Sequence, residues 1–211
     1  MAYVQIEYEP TSIELAPRAQ ALVEASELRF EDFYAKQLNK RYPRYIASDP
    51  SQVDAALRWL ERRNLVMGGH FLEWGSGFGL ATGLASLRGY QACGIELRRG
   101  LVEIARDLMA EQKIEADFLC TSYIPEGYIA FESADGEDIV PDDSFGYERG
   151  SPPCYEADDL VIEITEVDLF YVYPWPGEQT LMLKLFDAVA GPDAILIAYY
   201  GDRDLCLYRK K

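Results

Sequence analysis

The chain has 211 residues, which at about 100–200 residues per domain predicts one sizeable domain. Its 36 acidic residues exceed its 20 Lys and Arg, and the resulting net charge of −16 disfavours general binding to nucleic acids and anionic membranes. We find neither a leader-like N-terminus nor the about 18 uninterrupted apolar residues of a membrane span, so we expect a soluble, cytoplasmic protein.

The four cysteines lie far apart and the chain has a single histidine. This composition provides neither a Cys-x-x-Cys pair nor a set of zinc ligands. We therefore predict reduced thiols and no metal site.

The N-terminal segment, residues 1–67, is predicted to be helical. Apolar side chains recur at near-helical spacing from Pro17 to about Asn39, which predicts one amphipathic helix. Asp49 followed by Pro50 is typical of the N-cap and first position of a second helix.

From residue 68 the pattern changes to short apolar runs that alternate with helical segments. Such alternation predicts a doubly wound, mostly parallel α/β sheet with crossover helices. The predicted strands are His70–Trp74, Ala92–Leu97, Ala116–Leu119, Asp168–Tyr173 and Ala194–Tyr200. The predicted helices are Leu80–Leu87, Gly100–Gln112 and Glu178–Val189.

An acidic insertion, residues 125–167, interrupts this alternation. Between Glu126 and Asp168 there are 14 acidic residues and a single basic one, Arg149. Gly and Pro are frequent here, so we expect mostly loop, although Leu160–Thr165 could add an edge strand. The insertion is either a solvated surface loop or a lid that attracts a cationic partner. We thus expect a single domain over 1–211, with its core in 68–124 and 168–211.

The most informative motif runs from Phe71 to Gly79, where a predicted strand enters a glycine-rich turn before a helix. Glycines allow positive φ angles and let the backbone approach a ligand closely. A dinucleotide fingerprint would need a small residue at position 80, where Leu80 stands, and this disfavours a nicotinamide oxidoreductase. About 20 residues later a second strand ends in Glu96, whose carboxylate can accept both hydroxyl hydrogens of a ribose.

In these two motifs the sequence resembles the class I, seven-strand S-adenosylmethionine-dependent methyltransferases, which have a Rossmann-like fold. The resemblance covers about Asp49 to Tyr200 and implies S-adenosyl-L-methionine as the cofactor. The turn would wrap the methionine and ribose, and the acid after the second strand would bind the ribose hydroxyls. The matching residues are Glu73, Gly75, Ser76, Gly77, Gly79, Glu96 and Leu97.

The chain departs from the family after the third strand, where an acid often binds the adenine amino group. This chain has Cys120-Thr121-Ser122 there, so Thr121 or Ser122 is the predicted replacement. The chain also ends about ten residues after the fifth strand, so the C-terminal hairpin of the family is expected to be reduced.

The acceptor side is expected after the fourth strand. Tyr173-Pro174-Trp175-Pro176 is similar to the polar-Pro-Pro-aromatic pattern of amine methyltransferases, but Tyr173 replaces the polar residue. We take Tyr173 and Trp175 as the candidate catalytic residues, because an aromatic face can bind an amine cation. The Ser48-Asp49-Pro50 helix start and the Gly-Ile-Glu strand are also similar to small protein-lysine methyltransferases of the Dot1-like and ATP-synthase-subunit types.

Two functions remain open at this point. The first is a methyltransferase that acts on an amine, such as a lysine of a basic protein segment, or on another small acceptor. The second is a non-catalytic S-adenosylmethionine-binding or interaction protein on the same scaffold. An open channel beside the methyl position of the cofactor, walled by Tyr173 and Trp175, would favour the enzyme, and a plugged channel would favour the binding protein.

Overall fold

The computed structural model describes residues 2–9, 13–124 and 163–211. The strands in these ranges are β1 (Tyr3–Ile6), β2 (His70–Trp74), β3 (Gln91–Glu96), β4 (Asp117–Cys120), β5 (Leu169–Val172), β6 (Ile195–Gly201) and β7 (Asp204–Lys210). The helices are α1 (Pro17–Ala35), α2 (Pro50–Arg62), α3 (Leu80–Ser86), α4 (Arg99–Gln112) and α5 (Gln179–Val189). The predicted core strands and helices are all confirmed to within one or two residues.

The strands form one sheet in the order β1-β7-β6-β5-β2-β3-β4. The pairings among β4, β3, β2, β5 and β6 are parallel, and β7 is antiparallel to both of its neighbours. This is the predicted doubly wound α/β fold, with a single strand after β6. Because the chain leaves β2 for β3 on one side and returns to β5 on the other, the topological switch point lies beside β2.

Strand β1 was not predicted, because it lies in the segment interpreted as helical. It pairs with β7 at the sheet edge, with Tyr3 opposite Lys210 and Ile6 opposite Leu207. The amide of Ala2 also donates to the Asp187 carboxylate at 3.0 Å. The two ends of the described chain therefore stabilise each other at one edge of the sheet.

The predicted first helix is too long. Helix α1 ends at Ala35, Gln37 adopts a left-handed φ of 57°, and Leu38–Lys40 forms a separate 3₁₀ turn. The predicted edge strand over Leu160–Thr165 lies partly outside the described residues, and the described part is a 3₁₀ turn, Ile164–Glu166. The rest of the acidic insertion up to residue 162 also lies outside them.

Each face of the sheet has its own apolar layer. One face packs against helices α1 to α4, with Leu57 and Leu60 among the fully buried side chains. The other face packs against α5, with Leu185 and Phe186 at its centre. No helix in the described ranges is long and apolar enough to cross a membrane. Three of the cysteines, Cys93, Cys120 and Cys206, are free thiols as predicted, and Cys154 falls in the acidic insertion.

Helix α2 is fixed by polar contacts at its N-cap and within its first half. The Asp49 carboxylate accepts the N–H groups of Ser51 and Gln52, as its predicted N-cap role requires. Further along, the Asp54 carboxylate, 2% exposed, accepts two hydrogen bonds from Arg88 at 2.8 and 2.9 Å. This ion pair connects α2 to the turn that follows α3.

We predict that Asp54→Ala lowers the free energy of unfolding by about 3 kcal/mol, because it removes the buried carboxylate that pairs with both Arg58 and Arg88, although Arg88 keeps its ion pair with Glu61. Urea unfolding followed by circular dichroism measures this. The matched control is Asp32→Ala, which removes a carboxylate, 58% exposed, from an ion pair with Lys36. That change should cost less than about 0.5 kcal/mol. Equal losses in the two variants would contradict a structural role for the Asp54 pair.

Candidate active site

The predicted site residues lie at the carboxyl ends of the central parallel strands. In the register, Trp74 pairs with Ile95 on one side and with Val172 on the other. The residues that follow these three in the sequence are Gly75, Glu96 and Tyr173, respectively. The cofactor and acceptor candidates therefore meet at the carboxyl ends of β3, β2 and β5, which is where ligands bind in open α/β sheets.

The glycine turn is attached to β3 by its backbone. The N–H groups of Gly75 and Ser76 both donate to the Ile95 carbonyl at 2.9 Å. Gly75, Gly77 and Gly79 have positive φ angles of 74°, 53° and 72°, so each uses a conformation that favours glycine. A Cβ at Gly75 would meet nothing within 4 Å, so this part of the turn faces open space.

Glu96 joins the turn to the start of helix α4. Its Oε2 accepts the Gly77 N–H at 3.0 Å, and its Oε1 accepts the Arg98 N–H at 2.9 Å. Burial raises the pKa of Glu96, while backbone hydrogen bonds from Arg98, Gly77 and Leu97 and the charge of Arg98 oppose the shift. A carboxylate has about four acceptor positions, so Glu96 retains capacity for a further donor.

The Glu73 carboxylate forms its hydrogen bonds within the protein, with Thr82. Its Oε2 accepts the Thr82 backbone N–H at 2.8 Å and the Thr82 hydroxyl at 2.6 Å. Burial raises the pKa of Glu73 to about 8, against the hydrogen bonds from Thr82, which lower it. Glu73 therefore anchors helix α3 beneath the turn.

Two of the predicted hydroxyl groups are buried and have no hydrogen-bond partner among the described residues. They belong to Ser76, which is 5% exposed, and to Thr121, which is 4% exposed. The Ser122 hydroxyl instead accepts the N–H of Ile124 at 3.1 Å, and the Leu97 carbonyl accepts the Cys120 thiol at 3.8 Å. An unpaired buried hydroxyl is costly, so those of Ser76 and Thr121 are available to a further hydrogen-bond partner.

The connection between α1 and α2 covers the carboxyl ends of these strands. The Tyr45 ring stacks on Phe78, with centroids 4.3 Å apart, and a Cβ at Gly77 would collide with it. Burial and the carboxylates of Glu73 and Glu96 raise the pKa of Tyr45 well above its ordinary value. The same connection thus places an aromatic ring directly over the glycine turn.

Further along the same connection, Ser48 reaches the neighbouring strand. Its hydroxyl forms a hydrogen bond of 2.6 Å with the hydroxyl of Tyr171, which is 1% exposed. Burial raises the pKa of Tyr171 well above its ordinary value. The connection therefore contacts β5 as well as the turn.

The two acceptor candidates each have a partner from elsewhere in the chain. Tyr173 packs edge-on against Tyr199 of β6, with ring centroids 4.8 Å apart. Trp175 is covered by Arg44, whose guanidinium carbon lies 5.1 Å from the ring centroid. Arg44 also donates to the Glu178 carboxylate at 2.5 Å.

The candidate site residues of the sequence analysis did not include Arg44, Tyr45 or Glu178, and Ser48 was named only as part of a helix start. The Tyr45 ring packs on Phe78 and covers Gly77. The contact of Arg44 with Glu178 spans 134 residues of sequence, and that of Ser48 with Tyr171 spans 123. No local pattern reports contacts of that separation.

Comparison with known proteins shows the fold. No protein-family model and no curated protein matches the chain. Among solved structures, a hypothetical protein from Thermus thermophilus is similar at a TM-score of 0.52 with 13% identity, over 80% of this chain and 90% of that one.

Two further structures fall just below that similarity. An RNA methyltransferase from Salinibacter ruber, in complex with S-adenosyl-L-homocysteine, has a TM-score of 0.49 and 16% identity, over 78% of this chain and 92% of that one. A methyltransferase from Geobacter sulfurreducens has a TM-score of 0.49 and 13% identity, over 94% of this chain and 92% of that one.

The raised pKa of Glu73 predicts a pH dependence of stability. The pKa is about 8 in the folded protein against an ordinary value of 4.5, so the unfolded chain releases this proton at lower pH. The contribution of Glu73 to stability is therefore present below about pH 4.5 and is lost as the pH rises towards 8, by up to about 1.4 kcal/mol per pH unit.

Glu73→Gln removes the titratable carboxyl group and keeps an oxygen that can accept the hydrogen bonds from Thr82. Urea unfolding of both proteins at about pH 5, 6, 7 and 8 should show a steeper loss in the wild type, so that the difference between them changes steadily with pH. Parallel curves would contradict a protonated, buried Glu73.

Proposed function

We propose that the protein is an S-adenosylmethionine-dependent methyltransferase. The observation that carries the proposal is the Glu96 carboxylate at the end of β3. It holds the glycine turn through the Gly77 N–H and still has acceptor capacity for a bound molecule. The two hydroxyl groups of a ribose are a matching pair of donors.

The surrounding residues fit the rest of the cofactor. Gly75 faces open space where a side chain would otherwise stand. The buried hydroxyls of Ser76 and Thr121, which have no partner among the described residues, can pair with polar atoms of a bound molecule. Thr121 follows β4 directly, and the Ser122 hydroxyl already accepts an N–H. Thr121 is therefore the better candidate of the two for the contact with adenine.

When bound, S-adenosylmethionine supplies a methyl group that its sulfonium already activates. The protein then has to align the acceptor and exclude water, and no nucleophilic side chain is required. An ammonium acceptor would first have to release its proton to water, so that its nitrogen could bond to the methyl carbon as S-adenosylhomocysteine left as a neutral thioether. In this proposal Glu96 fixes the ribose, Tyr45 shields the turn, and Tyr173 and Trp175 orient the acceptor. Glu73 supports the site by holding helix α3 in place.

An amine, such as the side chain of a protein lysine, is the acceptor class that the sequence favours. Trp175 offers an aromatic face that attracts a cation. The net charge of −16 also raises the local concentration of cationic acceptors and opposes general binding of nucleic acid.

A non-catalytic S-adenosylmethionine-binding protein is the second candidate. It fits the position of Arg44, whose guanidinium covers the Trp175 ring on the acceptor side, as long as this cover stays in place. The two candidates share the cofactor and differ only in whether that side becomes accessible.

Titration calorimetry tests the cofactor. We expect S-adenosylmethionine and S-adenosylhomocysteine to bind at micromolar concentration and NADH not to bind. Glu96→Ala should abolish binding, because it removes the ribose acceptor, while the control Glu103→Ala, at an exposed position of α4, should not change it. A melting curve of each variant checks folding. Equal affinity in both variants would contradict the ribose assignment.

Thr121→Val gives a second, independent test. Replacing an unpaired buried hydroxyl by a methyl group should stabilise the free protein by about 1 kcal/mol and weaken S-adenosylmethionine binding about tenfold. The control Thr82→Val removes a hydroxyl that donates to Glu73, and it should destabilise the protein. Melting curves and calorimetry measure both quantities. Unchanged cofactor affinity in Thr121→Val would contradict the role of Thr121.

A further inference from the structure

Arg44, Trp175 and Glu178 form a compact cation-binding arrangement, which we call the Arg44 cluster. The Arg44 guanidinium carbon lies 5.1 Å from the Trp175 ring centroid. Its Nη2 donates to Glu178 Oε1 at 2.5 Å. One cation is thus recognised by an aromatic face and by a carboxylate together, and both kinds of contact favour a planar guanidinium.

The ring and the carboxylate belong to one turn and hold each other. The Glu178 N–H donates to the Trp175 carbonyl at 2.9 Å. The Trp175 N–H donates in return to Glu178 Oε2 at 3.3 Å. These two hydrogen bonds do not involve Arg44, so Trp175 and Glu178 keep their relative positions when the arginine leaves.

Arg44 is the exchangeable member of the cluster. Its side chain is 40% exposed, whereas that of Glu178 is 15% exposed. It stands in the connection between α1 and α2, outside any helix or strand, while Glu178 immediately precedes α5. A partly exposed ion pair and cation–π contact are each weak enough for an incoming cation to replace them.

We infer that Trp175 and Glu178 form a cation subsite for the acceptor, and that Arg44 fills this subsite when no acceptor is bound. The inference rests on the proposed function, because it places the subsite just beyond Tyr173 on the acceptor side. It identifies the acceptor as a molecule with a cationic nitrogen group. Arg44 itself stands in for that group, so a guanidinium fits the geometry directly.

The test is a titration followed through the indole N–H signal of Trp175 in NMR spectra, assigned with Trp175→Phe. The probes are Nα-acetyl-arginine amide, Nα-acetyl-lysine amide and the neutral Nα-acetyl-citrulline amide. The proteins are the wild type, Arg44→Ala, Arg44→Ala with Glu178→Gln, and Arg41→Ala as a control in the same connection. Arg41 lies over the Tyr42 ring, 5.4 Å from its centroid.

We expect Arg44→Ala to bind a cationic probe about tenfold more tightly than the wild type, because the internal competitor is gone. The double variant should lose this gain, the control should behave as the wild type, and citrulline amide should not bind. The tighter of the two cationic probes assigns a guanidinium or an ammonium group. No gain in Arg44→Ala, or equal binding of citrulline amide, would overturn the subsite.

These titrations contain no cofactor, so they can fail separately from the proposed function. If S-adenosylmethionine binds and the cationic probes do not, the subsite is wrong and the cofactor assignment stands. If the probes bind and S-adenosylmethionine does not, the role of the subsite in methyl transfer is overturned. Arg44→Ala should leave S-adenosylmethionine affinity unchanged, because the contacts of Arg44 are with Trp175 and Glu178 on the acceptor side.

Discussion

The attachment of the glycine turn to β3 fixes the geometry on which the site depends. Gly75 and Ser76 donate to the Ile95 carbonyl, and Gly77 donates to the Glu96 carboxylate. Backbone groups of a turn that faces open space would otherwise have to pair with water. Because Glu96 also accepts the Arg98 N–H, the same carboxylate fixes the start of α4. One acidic side chain therefore sets the shape of the turn and lies at the centre of the proposed ribose site.

The connection between α1 and α2 brings the remaining parts of the site together. Tyr45 covers the turn after β2, Ser48 contacts Tyr171 on β5, and Arg44 reaches the residues that follow β5. This short stretch of irregular structure thus spans the switch point of the sheet, where the cofactor and acceptor sides adjoin. Asp49 then ends the connection as the N-cap of α2. A cation that displaces Arg44 would loosen one end of this connection while Tyr45 remains over the turn.

The sequence predicts the parallel core well because each of its elements has a local signal. The glycine turn, the Asp49-Pro50 start of α2 and Glu96 at the end of a short apolar strand all appear in the structure at the predicted places. These features depend on backbone conformation and on hydrophobic periodicity over a few residues. Strand β1 and the Arg44 cluster have no such signal. Strand β1 is four residues long and pairs with the opposite end of the chain, so only the completed sheet specifies it. The Trp175 ring was predicted to suit a cation, yet the sequence could not show that Arg44 would lie over it.

The covered Trp175 bears on the choice between enzyme and binding protein. A binding protein that never admits an acceptor would be expected to close that side with apolar packing, which excludes water without ionic groups. Here the cover is a single arginine with a side chain 40% exposed, held by contacts that another cation can reproduce. Such a cover favours replacement by another cation, because a neutral group in its place would leave the Glu178 carboxylate without a cation. Under the proposed function, a cover that another cation can replace favours an enzyme whose acceptor carries a cationic group.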